Sequence, residues 1–301
     1  QDQYFEDIDF LVDDFLPPGV SILVGKPKAG KSWLVHSICI HLAAGRPVFG
    51  FNVQQCSVLY MALEDSDRRL KKRTEILLDS HGIKSEEIKD KFFTITKAST
   101  LTNGFEEEVS GYLDQNPNIR MVAIDVLVRI RQPVKTNDIY KYDYETGKLL
   151  KDLAAKYPKV AFIIVHHTNK SQGDSLNSVS GSNGLTGGVD NVFVIENTGG
   201  NGYMLNIHGR DIENDDSIPL TKTENGMWTL EGRNDAYLKI NSGTRESILD
   251  AIRDGYNSRH EIIQQTGLQD GAVDQQLRRM VNNDVLVKKA RGIYELCKPT
   301  Y

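Results

Sequence analysis

Short runs of apolar residues alternate with amphipathic segments from residue 19 to about residue 210. The apolar runs predict mostly buried strands, and they lie at 22–24, 58–63, 92–96, 121–125, 161–167, 191–197 and 204–210. Helical patterns lie between several of them, at 34–42, 65–82, 104–115 and 138–157. This β-α-β-α order implies right-handed crossovers, so we predict an α/β fold with a mainly parallel sheet.

The connection between the first strand and the first helix carries a phosphate-binding pattern, in "GVSILVGKPKAGKSWLVHSICIHLAAG". Gly25, Gly30, Lys31 and Ser32 match G-x-x-x-x-G-K-[ST], and an ordinary lysine-bearing turn would require the motif and both flanking elements to coincide. We expect Lys31 to reach the β- and γ-phosphates of ATP and Ser32 to hold Mg²⁺. The predicted nucleotide-binding residues of this loop are Gly25, Lys26, Pro27, Lys28, Ala29, Gly30, Lys31, Ser32 and Trp33.

Two acidic residues at strand ends are candidates for the chemistry of hydrolysis. Asp125 closes the run "MVAID", where a carboxylate can meet the Mg²⁺ held by Ser32, although many strands end in Asp at a turn. Glu64 follows the run "VLYMAL" and is a candidate for activating water, because the carboxyl ends of parallel strands share one crevice. The alternative is that Glu64 and Asp65 stabilise the next helix through its dipole, and the spacing does not separate the two interpretations.

Two adjacent histidines, His166 and His167, end the run "AFIIVHH". A histidine at this place is usually a polar tip on a buried strand. The pair is followed by a long loop rich in Gly, Ser and Asn, which also fits a sensor that couples the γ-phosphate to the order of the loop.

The pattern changes at about residues 241–247. Three short helical patterns follow, the second with Ser258 as a plausible N-cap and Gly267 at its end, and "VLVKKARGIYEL" reads as two strands joined by a turn. We therefore predict a P-loop ATPase domain at 1–240 and a winged helix domain at 241–301. The second domain is nearly neutral, so DNA binding and protein docking both stay open for it.

Composition narrows the class of protein. The net charge of −5 excludes a protein that coats nucleic acid through overall positive charge, so any DNA contact must be local. The three cysteines, Cys39, Cys56 and Cys297, show no C-x-x-C spacing and predict neither a zinc site nor a disulfide framework. Without an apolar run long enough to span a membrane or a basic-then-apolar signal, we expect a soluble cytoplasmic protein.

The ordered motifs resemble a known family over about residues 8–212. The segments "FLPPGVSILVGKPKAGKS", "GRPVFGF", "VLYMALEDSDRRLKKR", "MVAID" and "IIVHHTNKSQGD" followed by "VSGSNGLTGGVDNVFVI" are similar to the RecA-like ATPases of the RepA type, hexameric replicative helicases of plasmids and mobile elements. The resemblance implies Glu64 as catalytic base, Arg73 as an adenine contact, His167 as γ-phosphate sensor and Arg210 as a finger that reaches the neighbouring subunit's nucleotide. The winged helix lies outside the minimal helicase ring of that family.

The resemblance also implies that two loops line a central channel and contact single-stranded DNA. The cations of the first loop are Arg129, Arg131 and Lys135, and the second loop carries Lys170. The expected function is an ATP-dependent DNA helicase or translocase of a plasmid, phage or other mobile element, with ATP and Mg²⁺ at the subunit interfaces of a hexameric ring. An ATP-switched initiator or regulator without unwinding activity, and a RecA-like recombination ATPase, stay open as alternatives.

Overall fold

A computed structural model describes residues 9–13, 15–132, 138–167, 183–210, 216–223, 227–230, 247–268, 270–282, 286–290 and 292–297. Contacts divide the chain into two compact units, Gln1–Glu231 and Gly232–Tyr301. The boundary predicted from the sequence, between residues 240 and 241, lies outside the described residues.

Nine strands in the described part of the first unit form a single sheet. In chain order they are β1 (Gly19–Gly25), β2 (Ser57–Ala62), β3 (Phe92–Ile95), β4 (Ile119–Asp125), β5 (Ala161–His167), β6 (Asn191–Gly199), β7 (Gly202–Gly209), β8 (Asp216–Lys222) and β9 (Trp228–Leu230). Their spatial order is β3-β2-β4-β5-β1-β6-β7-β8-β9. The pairs from β3 to β6 are parallel, and β7, β8 and β9 extend the sheet as antiparallel strands. The predicted α/β fold with a mainly parallel sheet is confirmed.

Helices connect the parallel strands. They are α1 (Lys31–Ala44), α2 (Asp67–His81), α3 (Ser85–Ile88), α4 (Phe105–Gln115), α5 (Ile139–Lys156) and α6 (Asn183–Gly187). The sequence predicts α1, α2, α4 and α5, whereas α3 and α6 are too short to show a helical period. No helix in the described ranges has both the length and the apolar character needed to cross a membrane.

Burial explains which strands the sequence reveals. Every residue of β2 is buried, so its apolar run is continuous, and side chains of α4 and α5 such as Val109 and Leu150 pack into the same core. In β8, by contrast, Ile218 and Leu220 are buried on either side of Pro219 within the mixed segment "DSIPLTK". For this reason β8 was not predicted from the sequence, and neither was the very short β9.

The second unit contains helical residues 247–253, the helices Arg259–Thr266 and Asp270–Asn282, and an antiparallel hairpin of Leu286–Ala290 and Ile293–Leu296. The Ser258 hydroxyl accepts a hydrogen bond from the Glu261 N–H, and the Glu261 carboxylate accepts one from the Ser258 N–H. This reciprocal cap begins the second helix at the predicted residue. The described elements follow the predicted order, and their assignment to a winged helix domain stays a prediction.

A buried histidine of α1 predicts how stability depends on pH. The His36 ring stacks on Phe92 at a centroid distance of 5.6 Å and lies 4.7 Å from the ring of Tyr60. Burial lowers the pKa of His36 to about 3, and Arg73 adds to the shift. Between about pH 6.5 and pH 3 the unfolded chain therefore binds a proton that the folded chain does not, so stability falls as the pH falls.

We expect His36 alone to lower the free energy of unfolding by about 2 kcal/mol between pH 7 and pH 5. Denaturant unfolding of the parent and of His36→Gln at both pH values measures this contribution. The variant should be less stable at pH 7 and should lose less stability on acidification. An identical pH dependence in the two proteins would contradict the assignment.

Candidate nucleotide-binding and catalytic site

The functional residues predicted from four strands meet at one edge of the sheet. The P-loop follows β1, Glu64 follows β2, Asp125 ends β4 and His167 ends β5. In the sheet order these strands are neighbours, and all four run parallel. The carboxyl ends of β1, β2, β4 and β5 therefore form one crevice, the place where parallel α/β sheets bind ligands.

The P-loop bends sharply before α1. Gly30 has a φ of 97° and Lys28 a φ of 65°, both in the left-handed region that glycine adopts without strain. The side chain of Lys31 is 2% exposed and folds back over the loop, where its ammonium group donates to the carbonyl oxygens of Gly25 at 2.7 Å and Lys26 at 2.9 Å. The loop thus holds one cation at its centre, beside the N-terminus of α1.

The pKa of the Lys31 ammonium group reflects its buried position in the loop. Burial lowers its pKa to about 8, while the carboxylates of Asp125 and Glu64 act in the opposite direction. The ammonium form still predominates at neutral pH. An anion placed beside Lys31 would favour that form further.

Asp125 and Ser32 form the candidate metal-binding pair. The Ser32 hydroxyl donates to Oδ1 of Asp125 at 3.1 Å, and the buried Tyr60 hydroxyl donates to Oδ2 at 2.9 Å. Asp125 is only 4% exposed, and burial raises its pKa despite the two hydrogen bonds. Because hydroxyl and carboxylate oxygens suit Mg²⁺, this pair fits the ion that the motif implies. Tyr60 was missed, since a tyrosine inside an apolar strand resembles an ordinary core residue.

Glu64 and His167 face each other across the crevice. Nε2 of His167 lies 3.8 Å from Oε2 of Glu64, whose side chain is 46% exposed and therefore open to water. Burial and the nearby Lys31 lower the pKa of His167, so the contact joins a neutral imidazole to a carboxylate. The adjacent His166 is more buried, and its pKa is lowered to about 4 by burial and by Arg131.

Arg73 lies beside the start of α1, next to the P-loop. Its guanidinium lies 5.1 Å from the centre of the Trp33 ring and forms an ion pair with Asp65, in which Nη1 and Oδ2 are 2.7 Å apart. Asp65 pairs with Arg69 as well, at 3.1 Å. The structure therefore brings two predicted nucleotide-binding residues, Trp33 and Arg73, together.

The antiparallel extension of the sheet also contacts the P-loop. The Trp228 indole N–H donates to the Gly30 carbonyl at 3.3 Å, and a Cβ on Gly30 would lie 2.8 Å from the Trp228 ring and 3.0 Å from Nζ of Lys222. Gly30 therefore has no room for a side chain, in addition to its positive φ. This contact was invisible to sequence analysis, because β8 and β9 were not predicted.

The predicted DNA-binding cations differ in their surroundings. Arg129 is exposed at the end of the 3₁₀ turn Leu127–Arg129. The Arg131 side chain is only 13% exposed, because it forms an ion pair with Asp143, donates to Thr146 and lies over the Tyr142 ring at 4.5 Å. The Arg131 guanidinium is thus engaged within its own subunit, and its predicted contact with DNA stays a prediction. Two other predicted residues, Lys135 and Lys170, lie outside the described residues.

Arg210 lies near the amino ends of the parallel strands, at the end of the sheet opposite to the P-loop. It follows β7, whose last residue Gly209 pairs with Asn191 at the amino end of β6, and Asn191 pairs with Ser21 near the amino end of β1. The P-loop begins at the other end of β1, about 13 Å away at 3.3 Å per strand residue. The Arg210 side chain is exposed, and the register places it away from the P-loop of its own subunit.

Comparison with known families decides the family of this chain. The model of the AAA_25 family, described as AAA domain, matches residues 2–173, which is more than half of the chain. The chain belongs to the AAA_25 family. Together with the P-loop, membership of AAA_25 makes the first unit of this protein an ATPase domain with a nucleotide-binding site. No curated protein sequence matches the chain at a significant level.

Solved structures support the fold of this AAA_25 protein. One of them, described as an ATPase domain, aligns with a TM-score of 0.55 and 17% identity, over 71% of this chain and 84% of that chain. A DnaB-like replicative helicase, described with its interactions with primase, aligns with a TM-score of 0.58 and 15% identity, over 75% of this chain and 64% of that chain. At these identities the likeness shows the fold alone, an α/β fold with a mainly parallel sheet.

Proposed function

We propose that this AAA_25 protein is an ATP-dependent DNA helicase or translocase that works as a ring in the replication of a plasmid, phage or other mobile element. One observation carries the proposal. The residues for binding and hydrolysis, Lys31, Asp125 and Glu64, meet at one edge of the sheet, whereas Arg210 lies at the other edge. With Arg210 proposed as the finger, a complete catalytic set requires two subunits, as in a ring with ATP at its interfaces.

Each residue has a distinct part in the proposed reaction. The P-loop and Lys31 would hold the phosphates, and Ser32 and Asp125 would hold Mg²⁺, which would neutralise phosphate charge. Glu64 accepts the proton of the attacking water, and its open carboxylate is accessible to that water. His167 lies next to Glu64, where a neutral imidazole can contact the γ-phosphate. Arg73 and Trp33 offer a flat surface to the adenine.

The same proposal assigns the contacts with DNA. The resemblance to RepA-type helicases implies single-strand binding and a hexameric ring, and we propose both for this chain. Arg129 is the exposed cation of the described residues in the first predicted loop, and Lys135 and Lys170 stay proposed contacts. Arg131 is left out because Asp143 already occupies its guanidinium. We assign contact with DNA or a replication protein to the second unit, as a winged helix, and a cytoplasmic location to the whole chain.

Lys31→Ala is expected to remove most of the affinity for ATP. Lys31 is the cation that the loop holds at its centre, at hydrogen-bond distance from two loop carbonyl groups. Titration with a fluorescent ATP analogue and Mg²⁺ measures the dissociation constant. The matched control is Lys28→Ala in the same loop, because Lys28 is exposed and should contribute less to affinity. Equal losses in the two variants would contradict the role given to Lys31.

ATP hydrolysis measured with and without single-stranded DNA tests the proposed function. We expect hydrolysis that rises with protein concentration as rings form and is stimulated by single-stranded DNA. Mass photometry with ATP and Mg²⁺ measures the ring. A monomer with full activity, or hydrolysis that is indifferent to DNA, would contradict the proposal.

A second candidate function is an ATP-switched DNA-binding initiator or regulator. The separate compact second unit favours it, since its described helices and hairpin follow the order of a DNA-binding module. Removal of residues 243–301 separates the two candidates. A helicase should keep DNA-stimulated hydrolysis without these residues, whereas an initiator should lose its DNA binding.

A further inference from the structure

A second cleft lies beside Glu64, and its lining contains no described residue of the P-loop. It has a volume of about 620 Å³ and lies at the carboxyl ends of β2, β3 and β4. Its lining is Leu63, Glu64, Asp65, Ser66, Arg69, Thr96, Lys97, Ala98 and Arg129. Three different elements thus bring a cation each to a space that also touches the proposed catalytic base.

The charge of this cleft favours an anion. Lys97 and Arg129 are exposed, and within the described part of the chain neither side chain forms an ion pair. The third cation, Arg69, pairs with Asp65, but Asp65 also pairs with Arg73, so one carboxylate faces two guanidinium groups. The described lining holds three cations and two acids, Glu64 and Asp65, so its formal charge is positive, and the unpaired cations face an open cleft.

We propose that the cleft defined by Arg69, Lys97 and Arg129 binds a backbone phosphate of single-stranded DNA next to Glu64. This inference rests on the proposed function and adds to it a DNA site in which Arg69 of α2 and Lys97 after β3 lie beside Arg129 of the first predicted loop. A strand fits better than a free phosphate ion, because the cleft is much larger than one ion and its cations come from separate elements. Arg129 connects the cleft to the first predicted DNA loop.

Arg69 links this cleft to the catalytic site. Its Nη2 donates to the Glu64 carbonyl at 3.1 Å, and its Nε lies 3.1 Å from Oδ1 of Asp65. Asp65 in turn holds Arg73, whose guanidinium lies over Trp33 beside the P-loop. A phosphate that binds Arg69 competes with Asp65 and so changes contacts of the Glu64 main chain and of Arg73. Arg69 is therefore a positioning residue through which a DNA strand acts on hydrolysis.

Neutralising the two unpaired cations tests the site. Lys97→Gln and Arg129→Gln should each weaken the binding of a single-stranded oligonucleotide. Each variant should also make binding less dependent on salt. The slope of log K against log salt should change by roughly 0.7 for each lost phosphate contact. The matched control is Lys89→Gln, an exposed lysine near the amino end of β3, which should change neither DNA binding nor hydrolysis. If Arg129→Gln weakens DNA binding but Lys97→Gln does not, then the strand binds the first predicted loop and the proposed cleft site is wrong.

Chemical protection of the parent protein gives a readout that does not depend on a variant. We expect a thymidine oligonucleotide to protect Lys97, but not Lys89, from acetylation, as measured by mass spectrometry. Equal protection by inorganic phosphate alone would show a small-anion site and overturn the assignment to DNA. DNA binding without protection of Lys97 overturns this inference alone, whereas no DNA binding by the parent overturns the proposed function as well.

Arg69→Lys tests the link to Glu64. The lysine keeps a positive charge in the cleft but cannot bridge the Glu64 carbonyl and Asp65 in the same fork geometry. We expect the variant to bind DNA within about twofold of the parent while DNA no longer raises its kcat. A variant with the parent's DNA stimulation would contradict the positioning role.

Discussion

Arg210→Ala should hydrolyse ATP about 10³- to 10⁵-fold more slowly than the parent, while it binds ATP and Mg²⁺ almost normally. The reason is the register of the sheet, which places Arg210 at the edge opposite to the P-loop of its own subunit. An arginine in that position can stabilise the transferred phosphoryl group only of a neighbouring subunit. Steady-state hydrolysis and ATP binding, measured on the same preparation, separate catalysis from affinity.

Mixing two inactive proteins tests whether Arg210 acts between subunits. Arg210→Ala supplies an intact P-loop, and Lys31→Ala supplies an intact Arg210. We expect the mixture to recover hydrolysis, and the recovery to grow with protein concentration. If Arg210→Ala is fully active, or if mixed assemblies form and remain inactive, then Arg210 is not a finger.

Glu64→Gln should lower turnover by roughly a hundredfold or more with little change in ATP affinity, because glutamine keeps the shape but cannot accept a proton. The 3.8 Å contact between Glu64 and His167 places the carboxylate inside the crevice rather than along the axis of α2. Single-turnover hydrolysis and ATP titration measure the two effects separately.

Asp67→Asn is the matched control for Glu64, because Asp67 is the acidic residue in the first turn of α2. A helix-dipole role predicts similar, small losses of stability for the two variants and no loss of turnover. If Glu64→Gln turns over ATP almost as fast as the parent, then Glu64 has the helix-dipole role and is not the catalytic base.

Much of the central sheet follows from the sequence because its strands are buried on both faces. Continuous apolar runs mark β1, β2, β4 and β5, and the functional residues lie where those runs stop. The P-loop, Glu64 and Asp125 could therefore be placed at one edge from the chain order and the rule for parallel sheets alone. The orientation of each side chain required the structure.

The features that were missed depend on contacts between distant residues. Arg131 looks like a free loop cation in the sequence, but in the structure Asp143 of α5 forms an ion pair with it and leaves it only partly exposed. Trp228 lies about 200 residues from the P-loop in the sequence, yet its indole N–H donates a hydrogen bond to the Gly30 carbonyl. The cleft beside Glu64 joins Arg69, Lys97 and Arg129 from three elements, and no local pattern marks them as a group.

Strand displacement tests the central claim most directly. The substrate is a labelled duplex with a single-stranded tail, and the full chain is incubated with it in ATP and Mg²⁺, beside Glu64→Gln as the matched inactive protein. We expect ATP-dependent release of the labelled strand by the parent and none by Glu64→Gln. DNA-stimulated ATP hydrolysis without release of the strand, on tails of either polarity, would contradict the claim that this protein is a helicase.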